Sequence, residues 1–261
     1  WLMLVLPGLR SGSAQRLRWM GLSASGGLLL WLGFPAMPFT PLLFVAFVPF
    51  FSLQREIEKS EHPHKGRTLL SFTYLGLLLW NILSTFWVAN ANLGAGLFAC
   101  TVNSLLMSLP FWLWHQTRKV MQGSITRVAF LCFWLCFEYL HFRWELAWPW
   151  LTLGNSWSQY PAMVQWYEYT GVLGGSLWIL LSNLFVFRLC LFFFYKKAIK
   201  VRAVSLALLL WIALPTAFSL YLYFSYEAEG TEQEIVVLQP NYEPHYERDR
   251  VSEQQVVERV L

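Results

Sequence analysis

Residues 169–202 read YTGVLGGSLWILLSNLFVFRLCLFFFYKKAIKVR. The run from 169 to 195 is almost wholly apolar, Lys196, Lys197, Lys200 and Arg202 follow it, and a second apolar run occupies 203–225. A helix needs about 20 apolar residues to cross the hydrocarbon layer. The stretch therefore predicts two membrane helices joined at a short basic turn, and a membrane fold for the chain that contains them.

Composition agrees along the rest of the chain. Of 261 residues, 56% are hydrophobic and 13% are charged, against about 25% charged in an ordinary soluble domain. A water-soluble fold could not cover that much apolar surface. The net charge of +4 does not indicate a nucleic-acid partner, because the basic residues sit at the ends of apolar runs and form no single patch.

Working outward, apolar runs bounded by charge or turn residues give seven candidate spans, at 19–34, 38–53, 68–89, 93–115, 126–143, 169–195 and 203–225. The fold class expected is an all-α membrane helix bundle of about seven transmembrane helices. Pro35, Pro38 and Pro41 crowd the connection at 33–41 and cannot continue a helix, so the first two runs read as a helical hairpin. Positive charge is retained on the cytoplasmic side. Arg10, Arg16 and Arg18 precede the first span; Arg55, Lys59, Lys65 and Arg67 follow the second; Arg118, Lys119 and Arg127 join the fourth and fifth; Arg188, Lys196, Lys197, Lys200 and Arg202 sit at the junction of the last two. The opposite loops carry only Arg143 at an edge. This pattern predicts a cytoplasmic amino terminus and an outer carboxy-terminal segment.

Three regions are expected: an N-terminal cytoplasmic or leader-like segment at 1–18, a transmembrane bundle at 19–226, and a soluble segment at 227–261. In the last, Ile235-Val236-Val237-Leu238 has the β-branched character of a buried strand. Ser252 and Gln255 have the spacing of a capping box ahead of a helical stripe at Val256, Val257, Val260 and Leu261. Strand followed by helix is how an α/β domain begins. With Trp1 first and Leu261 inside an amphipathic pattern, the sequence reads as a fragment.

Ionisable and polar groups inside the bilayer are costly and are functional candidates by default. Glu138 is the deepest acid, suited either to interhelical hydrogen bonding or to a substrate site, with His141 as its i,i+3 partner. Asn183 presents the same choice between helix packing and lipid contact. The outer loop holds Trp144, Trp148, Pro149, Trp150, Gly154 and Trp157, then Glu168. Its tryptophans suit the headgroup layer, and Pro149 between two of them suggests an ordered loop lining a lipid-accessible cleft. Cys100, Cys132, Cys136 and Cys190 all lie in apolar runs, where a thiol behaves as a small hydrophobe. No serine elbow, zinc motif or phosphate loop occurs, and His62, His64, His115, His141 and His245 are scattered, so no metal and no cofactor is expected.

These motifs, in order, resemble the apolipoprotein N-acyltransferases. Glu138-Tyr139-Leu140 and Trp148-Pro149-Trp150-Leu151-Thr152-Leu153-Gly154-Asn155 are similar to that family's E-W-L-R and F-P-W-L-x-x-G-Y, with Asn155 where tyrosine is usual. Gln165-Trp166-Tyr167-Glu168-Tyr169-Thr170-Gly171-Val172-Leu173-Gly174-Gly175, Asn183, and Ile235–Leu238 with Gln239-Pro240-Asn241 continue the likeness. The resemblance implies a bundle in the bacterial inner (cytoplasmic) membrane and, from 227, the first strand and helix of a truncated α/β nitrilase-like domain in the periplasm. It further implies acyl transfer from a phospholipid donor, through a cysteine thioester, to the α-amine of the diacylglyceryl-cysteine of a lipoprotein. No cofactor enters that chemistry, and the enzyme is expected as a monomer among membrane lipids. The family's catalytic Glu, Lys and Cys correspond to positions beyond Leu261, so no catalytic residue is assigned in this chain, which is expected to be inactive alone. Glu138, Trp148, Pro149, Trp150, Gly154, Glu168 and Asn183 remain as substrate- or lipid-binding candidates. The alternatives are a noncatalytic transporter or scaffold, and a degenerate truncated paralogue.

Overall fold

In hydrocarbon every backbone N–H and C=O must be satisfied by protein, and the apolar runs accordingly fold as helices. The computed structural model describes residues 12–123, 125–227, 230, 233–237, 239 and 252–260. Contacts divide the chain into two units, one ending at Ser225 and the other beginning at Tyr226. The first holds α1 (Gly12–Gly33), α2 (Val48–Lys59), α3 (Lys65–Thr85), the single turn α4 (Val88–Ala91), α5 (Leu93–Val120), α6 (Ile125–His141), α7 (Tyr167–Phe194) and α8 (Ala198–Ser225). Among the described residues, α3, α5, α7 and α8 are each long and apolar enough to cross a membrane.

The expected second span, 38–53, is not one helix. A 3-10 turn, Thr40–Phe44, stops short of α2, which has only 12 residues. Pro49 in the first turn of α2 has no N–H for the carbonyl of Val45, so the helix cannot run back through the break. Asn183 of α7 repairs it: Nδ2 donates to the carbonyl of Leu43 at 2.6 Å, and Oδ1 accepts from the amide of Phe47 at 2.7 Å. Both groups are buried away from lipid. Residues 12–18, expected in a leader-like segment, form the first turns of α1; residues 1–11 lie outside the described residues.

Helix α3 packs between α1 and α5, and α7 lies against α2 and α8. Small residues set the first of these contacts. A Cβ on Gly27 would collide with the carbonyl of Gly76, and one on Gly76 with the carbonyl of Ser23, while the Ser23 hydroxyl donates to the carbonyl of Phe72. Ser23-x-x-x-Gly27 thus meets Phe72-x-x-x-Gly76 at backbone contact, the close approach that small residues permit in membranes. The centre of the bundle is aromatic: Phe47 meets Trp134 edge-on at 4.8 Å, and Phe130 lies 5.2 Å from Phe51 and 5.0 Å from Phe111. Such rings contribute beyond their buried area.

Polar contacts mark two ends of this unit. At one, Arg18 pairs with Glu56 at 2.6 Å and Arg118 with Glu58 at 2.7 Å, Lys65 donates to the carbonyl of Glu58, and Arg55 donates to the Tyr195 hydroxyl. At the other, Tyr160 donates to the carbonyl of Pro38, Trp87 meets Trp150, and Gln165 donates its amide to Ser219. The chain runs back and forth between a basic end and an aromatic end. The break at 45–47 interrupts its second passage.

In the second unit, Ile235, Val236 and Val237 form no strand and are 79%, 72% and 83% exposed. The expected strand needs a ladder partner, and the described residues hold no other extended segment to supply one. Leu238, Pro240 and Asn241 fall outside the described residues, which leaves Gln239 alone of its motif. The capping box does form: the Ser252 amide donates to Gln255 Oε1 at 3.0 Å and the Gln255 amide to Ser252 Oγ at 3.3 Å, opening α9 (Glu253–Val260).

Candidate functional site

The loop between α6 and α7 is built from three short 3-10 turns, Pro149–Leu151, Leu153–Gln159 and Pro161–Met163. Such turns leave backbone groups without partners, and buried side chains of the bundle satisfy them. Glu138, 2% exposed, takes the amide of Leu153 on Oε1 at 2.9 Å together with the indole N–H of Trp134 at 3.0 Å. Ser176 accepts from the amide of Gly154 at 2.9 Å, and the Tyr167 hydroxyl donates to the Gly154 carbonyl at 3.0 Å. Gly154 sits against the backbone of Val172, where a Cβ would collide. In α7, Gly171 at φ 64 breaks the helix and turns its first residues toward this loop. The loop is ordered from beneath by groups of α6 and α7.

Above these anchors lies a cavity of about 540 Å³, within the range of small-molecule sites. Its walls come from three places: Phe34 and Pro35 in the proline-rich turn, Ser84, Thr85 and Trp87 at the end of α3, and Pro149, Trp150 and Asn155 of the loop. Trp150 is 57% exposed and meets Trp87 edge-on at 5.6 Å, with Trp148 6.5 Å away. Asn155 Nδ2 donates to the carbonyl of Pro149 at 3.1 Å and closes the turn. The surface offered is aromatic, with hydroxyl and amide groups at a few points. It suits an acyl chain or the glycerol region of a lipid.

The structure gathers some of the sequence candidates and separates others. Pro149 and Trp150 line the cavity and Trp148 touches it through Trp150. Glu138 and Gly154 lie beneath as supports. Glu168 is exposed in the first turn of α7. Asn183 is fully buried at the α2 break, bonded to backbone. The expected pairing of Glu138 with His141 does not occur: the indole N–H of Trp144 donates to His141 Nδ1 at 2.9 Å, so Nε2–H donates to Asn103 at 2.7 Å. Each partner finds its own donor or acceptor closer at hand. Arg143 instead stacks 5.5 Å over the Tyr139 ring.

Several contributors were not singled out from sequence. Asn103 donates to Asn81 at 2.8 Å, and Asn81 to the carbonyl of Leu77 at 2.9 Å, forming a buried chain from Trp144 to α3. The signal was available, since both are amides inside apolar runs, the same criterion that selected Asn183. Thr85, Trp87 and Phe34 gave no such signal. Of the four thiols, Cys100 is buried beside Thr85 and Cys190 half-buried, whereas Cys132 and Cys136 lie on the outer face of α6.

The family model described as "Apolipoprotein N-acyltransferase N-terminal domain" matches residues 26–185. Among curated relatives, the chain is similar to the apolipoprotein N-acyltransferase of Chlorobaculum tepidum, 26% identical over 240 residues, which is 90% of this chain and 43% of the relative. It is similar to that of Geobacter metallireducens at 23% over 233 residues, 88% of this chain and 45% of the relative. It is also similar to apolipoprotein N-acyltransferase 2 of Treponema pallidum at 29% over 175 residues, 65% and 31% of the two chains. The chain spans less than half the length of these relatives. No solved structure matches.

Proposed function

The chain belongs to the apolipoprotein N-acyltransferase N-terminal domain family, and from that premise we propose that it is the membrane part of an enzyme that N-acylates bacterial lipoproteins. In the reaction, a cysteine thiolate attacks the sn-1 ester carbonyl of a phospholipid, the ester C–O bond breaks, and a lysophospholipid leaves. The α-amine of a diacylglyceryl-cysteine then attacks the thioester, an amide forms, and the thiol is released. Nucleophile, base and oxyanion donor are assigned to the part of such an enzyme outside these residues, with the segment from 227 as the start of its nitrilase-like domain. These residues alone are expected to be inactive.

The role of the bundle is to bring the acyl donor to the membrane surface and hold it there. The single observation carrying this is the cavity under the aromatic loop, walled by Phe34, Trp87, Pro149 and Trp150 at the end of the bundle opposite the basic residues. Tryptophan rings with one apolar body and one N–H belong at headgroup depth. With the basic end in the cytoplasm, seven passages deliver the cavity and the carboxy-terminal segment to the outer face of the inner membrane, where lipoproteins are processed. The enzyme works as a monomer in this reading.

The test is kinetic. In the complete enzyme, Trp150→Ala and Trp148→Ala are expected to lower kcat/KM for the phospholipid donor by about tenfold, the effect of losing one good apolar contact in the site, with expression unchanged. Unaltered turnover would return both rings to an aromatic belt with no part in catalysis.

A further inference from the structure

A second cavity, of about 480 Å³, opens at the basic end between α2 and α7, far along the bundle from the aromatic loop. Its lower walls are Val48 and Phe187 with Cys190 and Leu191; its charged lining is four cations, Arg18, Arg55, Lys59 and Lys196, and one acid, Glu56. Arg55 and Lys59 stand one helical turn apart on α2, on one face. Arg55 donates to the Tyr195 hydroxyl and lies 5.5 Å over its ring. Lys196 follows at the end of α7 with φ 53, a backbone conformation unusual for a residue with a side chain.

The charge at this rim is not neutralised. The ion pairs among the described residues are Arg18–Glu56 and Arg118–Glu58, so both acids of α2 are already taken. Arg55, Lys59 and Lys196 form no ion pair among the described residues, and Glu56, bonded to Arg18, acts on Arg55 only through space. Arg18, though paired through Nη2, keeps a buried Nε–H with no acceptor. Donors are thus in excess at the mouth of a groove whose floor is hydrocarbon. Water or free phosphate would satisfy the rim but gain nothing from Phe187 and Leu191, and the volume is many times that of a water molecule.

We infer that this groove binds an anionic phospholipid from the leaflet at the basic end, its phosphate held by Arg55, Lys59 and the Tyr195 hydroxyl and one acyl chain lying along Phe187 and Leu191. An anionic headgroup is favoured over a zwitterionic one because it brings no ammonium to the cluster of cations. Basic pockets between membrane helices at the cytoplasmic surface recognise headgroups in this way. The site requires a membrane but not acyl transfer, so it is independent of the function proposed above.

The experiment is native mass spectrometry of the delipidated chain in detergent, titrated with phosphatidylglycerol, with phosphatidylcholine, or with inorganic phosphate. Phosphatidylglycerol is expected to be retained about tenfold more strongly than phosphatidylcholine, and Arg55→Gln with Lys59→Gln to weaken it by about fivefold for each charge removed. Millimolar phosphate should not displace it. Phe187→Ala, which leaves the cations in place, should weaken both lipids. Equal retention of the two lipids by the unaltered chain, which needs no variant to fold, would overturn the inference. So would full displacement by phosphate, which would mark an anion site without a lipid.

Discussion

Glu138 and Asn183 do the same physical work in two places: each places a buried polar side chain against backbone that has left its helix. An unsatisfied N–H in such surroundings costs about 1–3 kcal/mol. Glu138→Ala orphans the amide of Leu153 and the indole of Trp134, and is expected to lower the midpoint of thermal unfolding in detergent and to loosen the loop at 149–159. Glu138→Gln keeps an acceptor and should recover most of the loss, whereas a charge-based role would leave Gln no better than Ala. The rule that intramembrane polar groups matter singles out both residues, and the structure shows each bonded to backbone. What it could not supply was the partner, since Asn183 bonds Phe47 across 136 residues of chain and nothing local in either stretch encodes that meeting. His141 shows the converse: i,i+3 spacing from Glu138 was suggestive, yet Trp144 and Asn103 claim both ring nitrogens.

At the scale of elements, the long apolar runs became helices because nothing else satisfies a backbone in hydrocarbon. The second run departs from the expected single helix for a reason visible in its own residues: apolarity runs evenly through 38–53, while Pro41 and Pro49 divide it into a 3-10 turn and a short helix. Glycines were equally silent in a reading based on apolarity. Gly27 and Gly76 fix the distance between α1 and α3, and Gly76→Val forces a side chain into the carbonyl of Ser23. Overpacking of this kind costs about 1–3 kcal/mol, so the variant should give less folded protein by fluorescence-detected size exclusion. Gly12→Ala meets nothing within 4 Å and serves as the control. Among the described residues no strand forms at 235–237, because β-branched apolar composition marks a strand-like segment, whereas a ladder needs a second one.

Over the whole molecule, the two ends differ in chemistry, and that difference was the most legible feature of the sequence. Lys and Arg mark the ends of alternate runs, and at one end Arg18 and Arg118 meet acids, Lys65 a carbonyl and Arg55 the Tyr195 hydroxyl. Tryptophan and proline mark the other, where Trp87, Pro149 and Trp150 enclose a cavity. The cavity itself was not legible, because its walls come from three stretches separated in sequence. Both proposed lipid sites depend on these ends facing opposite sides of the membrane.

Cysteine accessibility measures that arrangement directly. With Cys100, Cys132, Cys136 and Cys190 replaced by alanine, Ser158→Cys reports the rim of the aromatic cavity and Glu61→Cys the basic end, both positions being exposed. A membrane-impermeant maleimide applied to intact spheroplasts is expected to label Ser158→Cys, and to label Glu61→Cys only after lysis. Labelling of both from outside, or of Glu61→Cys alone, would contradict the account.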